Sequence, residues 1–225
     1  MKKLILYLQR RKYELLLLAL IQHLFIGIFL QDMDFYTEIM RPVNMFIVGI
    51  ASVGVFADTS KWRSTIKNAL FLFVLLLPLG LPFIGKIPHF MSIHSLAYFF
   101  FFVFIFYEVM KFLIKPSYIN VDIISASACG YFLLIETGVF LLQFLFYYDS
   151  TSFTGIDVAN HATVFMDLIY FCSITLTSIG FGDITPTSHY MKLITALFGI
   201  LGQFYAVVLM GILIGKFSTQ TKQKE

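Results

Sequence analysis

From Phe90 to Tyr107 the chain carries no aspartate, glutamate, lysine or arginine, and this stretch ends in the unbroken run YFFFFVFIFY from Tyr98 to Tyr107. A helix that is apolar on every side has no face to turn toward water, so it needs either a large surrounding core or lipid. The composition favours lipid. Of 225 residues, 59% are hydrophobic and 13% charged, with a mean hydropathy of +0.84, so about half of the charge of a typical soluble surface is missing. Phenylalanine supplies 27 residues and tyrosine 12, a load that suits a lipid-facing surface. A membrane protein is expected.

A membrane-spanning helix needs about 20 mostly apolar residues. Six segments qualify: Tyr13 to Leu30, Pro42 to Ala57, Ile66 to Ile84, Phe90 to Leu113, Ile123 to Tyr148, and Tyr190 to Phe217. Charge asymmetry orients them. Lys2, Lys3, Arg10, Arg11 and Lys12 precede the first segment, and Lys61, Arg63 and Lys67 lie in the second-to-third link. Lys111 and Lys115 lie in the fourth-to-fifth link, and Lys216, Lys222 and Lys224 in the tail. Only Arg41, Lys86 and Lys192 remain for the opposite side, so both termini are expected to be cytoplasmic in a multi-pass protein of the cell membrane. The basic start Met1 to Lys12 leads into an apolar run followed by acids rather than by a small-residue cleavage site, which suits a retained first helix. The net charge of +3, without interleaved basic and stacking residues, gives no sign of a nucleic-acid partner.

Individual segments differ in what they permit. The first external link, Gln31 to Arg41, holds Asp32, Asp34 and Glu38, and Pro42 fits the first turn of the next helix. The second segment is short and contains Gly49 and Gly54; the third ends in LPLGLPFIGKIP, where Pro78 and Pro82 predict a kink or an end. The fourth lacks the arginines or lysines at every third position that a voltage sensor requires, so steep voltage gating is not expected. Its first charges, Glu108 and Lys111, have the spacing of a local ion pair. Cys129 and Cys172 fall inside apolar stretches, where a thiol behaves as a small hydrophobe.

Between the last two segments the chain reads TLTSIGFGDITP from Thr175 to Pro186. The polar link Asp149 to His161 precedes it, and a short helix is predicted to start near Asp167, whose carboxylate suits a helix amino terminus, and to run to Thr177. At about ten residues such a helix cannot span the bilayer and must be re-entrant. A cation entering a narrow pore sheds its water, and rings of backbone carbonyls replace it. Turning successive carbonyls the same way needs alternating left-handed and right-handed backbone, which Gly180 and Gly182 permit and a residue with Cβ resists. One strand cannot surround an ion, so several subunits are expected to contribute.

TLTSIGFGDITP resembles the selectivity filter of the tetrameric potassium channels, whose common form is TVGYGD behind a pore helix. The resemblance covers roughly Ile123 to Phe217, and the segment count is similar to the six-transmembrane, single-pore type. It implies a homotetramer, each chain meeting three further copies of itself in membrane lipid, with K+ as the permeant ion and no other cofactor. It places K+ at the carbonyls of Ser178, Ile179, Gly180 and Phe181 and at the Ser178 hydroxyl, with Thr177 beneath them, Gly182 closing the outer mouth and Asp183 behind or above it. Tyr170 and Phe171 would brace the filter as an aromatic cuff, with Asp167 as further support. Two departures stand out: Ser178 replaces a threonine, which weakens the innermost site, and Phe181 replaces a tyrosine, removing a hydroxyl able to anchor the filter to the pore helix.

Gly199, Gly202, Gly211 and Gly215 lie along the sixth segment. By the resemblance Gly199 and Gly202 are candidate gate hinges, with close helix packing as the other reading of Gly202; for Gly211 and Gly215 packing or a wide crossing is expected. Gln203 either faces the cavity or bonds a neighbour. Glu136, near the middle of the fifth segment, is read as hydrogen-bonded to the sixth helix or as a source of pH sensitivity. His23 and His94 are read as packed or interfacial. The expected architecture is an all-α membrane protein of six transmembrane helices, a re-entrant pore helix and a filter, four subunits around a central pore. Residues 1–12 form a cytoplasmic segment, 13–114 a four-helix peripheral domain, 115–217 the pore domain and 218–225 a polar tail, with no ligand-sensing domain expected. No acid and histidine set forms a catalytic constellation with a nucleophile, so no enzyme is implied. A weakly selective cation channel and a non-conducting modulatory subunit are the alternatives.

Overall fold

A computed structural model describes residues 11–30, 32–56, 90–114 and 121–222 of the chain. Six α-helices dominate: α1 (Lys12–Phe25), α2 (Arg41–Val53), α3 (Phe90–Ile114), α4 (Val121–Tyr148), α5 (His161–Leu176) and α6 (His189–Lys222). Two short strands, β1 (Phe153–Thr154) and β2 (Thr185–Pro186), flank α5. The third apolar segment, with Pro78 and Pro82, lies outside the described residues.

Among the described residues, four helices are long and apolar enough to cross a membrane: Lys12–Phe29, Phe90–Ile114, Val121–Tyr148 and His189–Leu209. The first continues from α1 through a 3-10 turn at Ile26–Phe29. At the second expected span, α2 has 13 residues and a 3-10 turn at Gly54–Phe56 continues it. Helical turns at Met33–Phe35 and Tyr36–Met40 lead into it, and they begin where the Asp32 carboxylate accepts from the Asp34 and Phe35 N–H groups, both at 3.0 Å.

The bundle is built around α4. It packs along α3 and against α1, α5 and α6, and 61% of its apolar window is buried, against 17% for α6. On α1 the buried residues Tyr13, Leu16, Leu20, His23 and Leu24 recur at helical spacing and form one face toward α4. Phe102 of α3 stacks on Phe140 of α4 at 5.4 Å and 12°, and Phe140 meets Phe165 of α5 at 5.6 Å. Near the end of α3, Glu108 and Lys111 approach to 3.9 Å, the local ion pair their spacing predicts. Cys129 and Cys172 are buried free thiols.

α6 rests on α5, β2 and one side of α4, and glycines allow that approach. A Cβ at Gly138 would collide with the Phe198 ring, and one at Gly130 with the Tyr205 hydroxyl, which donates to the Ser127 carbonyl at 2.7 Å. Another side of α6 is open: Leu193, Leu197, Ile200, Phe204 and Val207 are 56–72% exposed along one helical stripe.

Candidate functional site

The short helix before the glycine-containing stretch starts earlier than its acids suggest. The Asn160 side chain accepts from the Ala162 and Thr163 N–H groups at 2.8 and 2.9 Å, while the Thr163 hydroxyl accepts from Asn160 N–H at 3.3 Å. This reciprocal capping box starts α5 at His161. Asp167 is therefore inside the helix and caps nothing; its carboxylate accepts from the Asp157 N–H at 2.7 Å and fastens the preceding loop. With 16 residues, α5 rises roughly 24 Å and still falls short of a span.

At the other end the last four carbonyls of α5 need partners, and all four have them. Ser173 accepts from Thr177 N–H at 3.1 Å, and Thr175 from Ser178 N–H at 3.1 Å. Ile174 accepts from both Ile179 and Gly180 N–H, at 2.9 and 3.2 Å, and Leu176 from the Gln203 side-chain amide at 3.2 Å. The Ile179-to-Ile174 and Ser178-to-Thr175 bonds together form a Schellman motif, whose left-handed position normally belongs to glycine. Here it is Ser178, with φ 59°. A non-glycine residue in that region costs about 1–2 kcal/mol, and the bonds around Ser178 offset it.

The left-handed geometry then recurs at every second residue: Ser178 at φ 59°, Gly180 at 53° and Gly182 at 82°. A Cβ at Gly180 or Gly182 would find nothing within 4 Å. Backbone geometry, not crowding, therefore requires these glycines. Thr177 to Asp183 are all exposed, Ile179 at 56% and Phe181 at 70%, so this strand faces away from the rest of the chain.

The outer end of the strand is held from two sides. The Tyr170 ring lies parallel to that of Phe181, 6.4 Å away at 3°, and its hydroxyl donates to Asp183 Oδ2 at 2.6 Å. The anchor lost with the missing Phe181 hydroxyl is supplied from the helix instead. That bond holds the Asp183 carboxyl below its ordinary range. Past Asp183, β2 pairs antiparallel with β1, Phe153 opposite Pro186 and Thr154 opposite Thr185. Gly155, at φ 88°, leaves room for the Asp183 carbonyl, which a Cβ would strike. Phe171 packs edge-on against Phe153 at 5.2 Å and supports this pairing rather than touching the strand's side chains. Of the three expected supports, Tyr170 bonds and stacks on the strand directly.

The inner end is held by α6, which runs unbroken through Gly199 and Gly202. A Cβ at Gly202 would lie 2.7 Å from Leu176 Cγ and 3.3 Å from its Cα, so close packing on the end of α5 accounts for this glycine. At Gly199 the nearest atom is 3.6 Å away, an ordinary contact. Because Gly202 brings the backbones together, the Gln203 amide reaches both the Leu176 carbonyl and the Ser178 hydroxyl, the latter at 2.6 Å. The sequence leaves Gln203 between cavity and neighbour; the neighbour is Ser178.

Glu136 is fully buried, but its partner comes from α1 rather than from the sixth helix: His23 Nδ1 lies 2.6 Å from Glu136 Oε1. His23 sits among the rings of Phe102, Phe140 and Phe165, 5.6–6.3 Å away, directly behind α5. Arg41, at the end of the expected external link, is 2% exposed with its guanidinium 5.0 Å from the Phe165 ring. No local pattern marks either contact, since both join residues more than a hundred positions apart.

With this geometry in view, comparison with known proteins is informative. Residues 130–219 match the family model described as "Ion channel", and this match covers α5, the glycine strand and α6 as far as Thr219. "Two-pore potassium channel 5" of Arabidopsis thaliana is 29% identical over 99 residues, 44% of this chain and 22% of the relative. "Two-pore potassium channel 3" of the same plant is 39% identical over 56 residues, 24% of this chain and 13% of the relative. The matched region thus spans less than a quarter of either relative's length. No solved structure matches the chain. Residues 130–219 are thus similar to the ion-channel family, and parts of the chain are, more weakly, similar to plant potassium channels.

Proposed function

We propose that the chain is one subunit of a homotetrameric, potassium-selective channel that conducts passively across the cell membrane. The observation that carries this reading is the left-handed backbone at Ser178, Gly180 and Gly182, alternating along an exposed strand at the end of a re-entrant helix. Four such strands around one axis would turn the carbonyls of Ser178, Ile179, Gly180 and Phe181 inward as successive rings of oxygen, which replace the water of a K+ ion. The open apolar stripe of α6 is the surface such a tetramer would cover or present to lipid. Both termini lie in the cytoplasm on this reading, following the distribution of lysine and arginine. Voltage dependence is shallow because the described span α3 carries no charge before Glu108.

A weakly selective cation pore is the second reading, favoured by the Gln203 amide on the innermost hydroxyl. The test is the reversal potential of the reconstituted protein under opposing K+ and Na+ gradients. A value near the potassium equilibrium potential supports selectivity, and a value near zero supports the second reading. Absence of current in every lipid tried would instead fit a non-conducting modulatory subunit.

A further inference from the structure

We infer that Gln203 competes with the permeant cation for the innermost site and keeps it the weakest of the row. This inference rests on the conduction reading above. Its starting point is the orientation of one amide. The Leu176 carbonyl is an acceptor only, so the Gln203 group 3.2 Å from it must be the NH2 end. The same nitrogen lies 2.6 Å from Ser178 Oγ, which therefore accepts as well. Each of the two amide hydrogens has one partner.

Both partners are groups a cation would otherwise use. The Ser178 hydroxyl oxygen has two lone pairs, and the amide occupies one of them. Leu176 provides the last carbonyl of α5, part of the negative end of that helix's dipole, and the amide covers it. A cation arriving at the innermost position thus meets an oxygen already engaged and the positive end of an amide beside it. Four subunits repeat the arrangement around one ion. Gly202 makes it possible, because any larger residue there would lift α6 off Leu176 and withdraw the amide.

Barium, a divalent ion of nearly potassium's size, probes this site without requiring flux. Its binding to the purified full chain in detergent is measured by calorimetry for wild type, Gln203→Leu, Gln203→Asn, Ser178→Ala and the Gln203→Leu/Ser178→Ala pair. Gln203→Leu is expected to tighten binding about tenfold, one hydrogen bond's worth of competition. Gln203→Asn, whose donor stops one methylene short, moves affinity the same way and serves if the leucine variant fails to fold. The gain shrinks on the Ser178→Ala background. Unchanged or weaker binding in both Gln203 variants overturns the inference, as does an undiminished gain without the Ser178 hydroxyl. Potassium flux is followed on the same preparations. Barium binding without any wild-type flux sinks the conduction reading alone, and normal flux with unchanged barium affinity sinks the Gln203 assignment alone.

Discussion

The His23–Glu136 contact offers the sharpest energetic test, because its two halves fail differently. The pair is 2.6 Å apart with side chains 1% and 0% exposed, and among the described residues neither His23 Nε2 nor Glu136 Oε2 has a hydrogen-bond partner. Each group therefore depends on the other. His23→Leu strands a carboxyl group behind α5, and breaking a buried pair in this way costs about 3–5 kcal/mol. Glu136→Leu strands an imidazole among three aromatic rings, a loss of about 1–3 kcal/mol. Replacing both by leucine removes both polar groups from an apolar site and should cost little, about 1 kcal/mol or less. The expected order is thus His23→Leu worst, Glu136→Leu intermediate and the double variant nearest wild type. The coupling energy should be at least about 3 kcal/mol. Reversible unfolding in mixed micelles, followed by far-ultraviolet circular dichroism, measures all four corners of this cycle. Additive single effects, to within about 0.5 kcal/mol, would refute the reasoning. So would a larger loss in Glu136→Leu than in His23→Leu.

Three further outcomes are expected. Gly180→Ala forces a Cβ into the left-handed region at a cost of about 1–2 kcal/mol; it should abolish potassium flux in liposomes while the assembly on size exclusion is unchanged, and normal conduction would contradict the filter assignment. Tyr170→Phe removes the donor that holds Asp183 low. The stabilising charge of Asp183 is present above the ordinary carboxylate range and is lost as pH falls through the lowered value, so acid inhibition of current should move to higher pH in the variant; an unmoved midpoint would remove Asp183 from the outer mouth. Gly138→Ala drives a methyl into the Phe198 ring and should destabilise the α4–α6 contact by about 1–3 kcal/mol, read in the same micelle assay.

How far the sequence alone reaches depends on whether a feature is local. Gly180 and Gly182 announce their conformation because the requirement lies in their own backbones. Ser178 hides the same conformation, since a Cβ argues against it and only the completed helix cap and the Gln203 amide hold it there. The start of α5 was written in the Asn160 to Thr163 spacing, but the carboxylate of Asp167 is the louder signal and points six residues too late. The two-residue strands β1 and β2 are too short to show any alternation. Contacts such as His23 with Glu136, or Gln203 with Ser178, join distant positions and leave no periodic trace. The long spans, by contrast, follow directly from uninterrupted apolarity, which needs no partner to be read.

That Ser178 closes the cap of α5 and also begins the glycine strand has a consequence for what changes the chain can absorb. No slack separates the two, so the strand inherits the phase of the helix. Inserting or deleting a single residue between His161 and Leu176 would rotate everything after it by about 100° and shift it by about 1.5 Å. The strand's carbonyls would then turn away from any common axis, and Gln203 and Tyr170 would no longer meet their partners at either end. Substitutions within α5 alter stability by degrees, whereas a change in its length would put the whole mouth out of register at once.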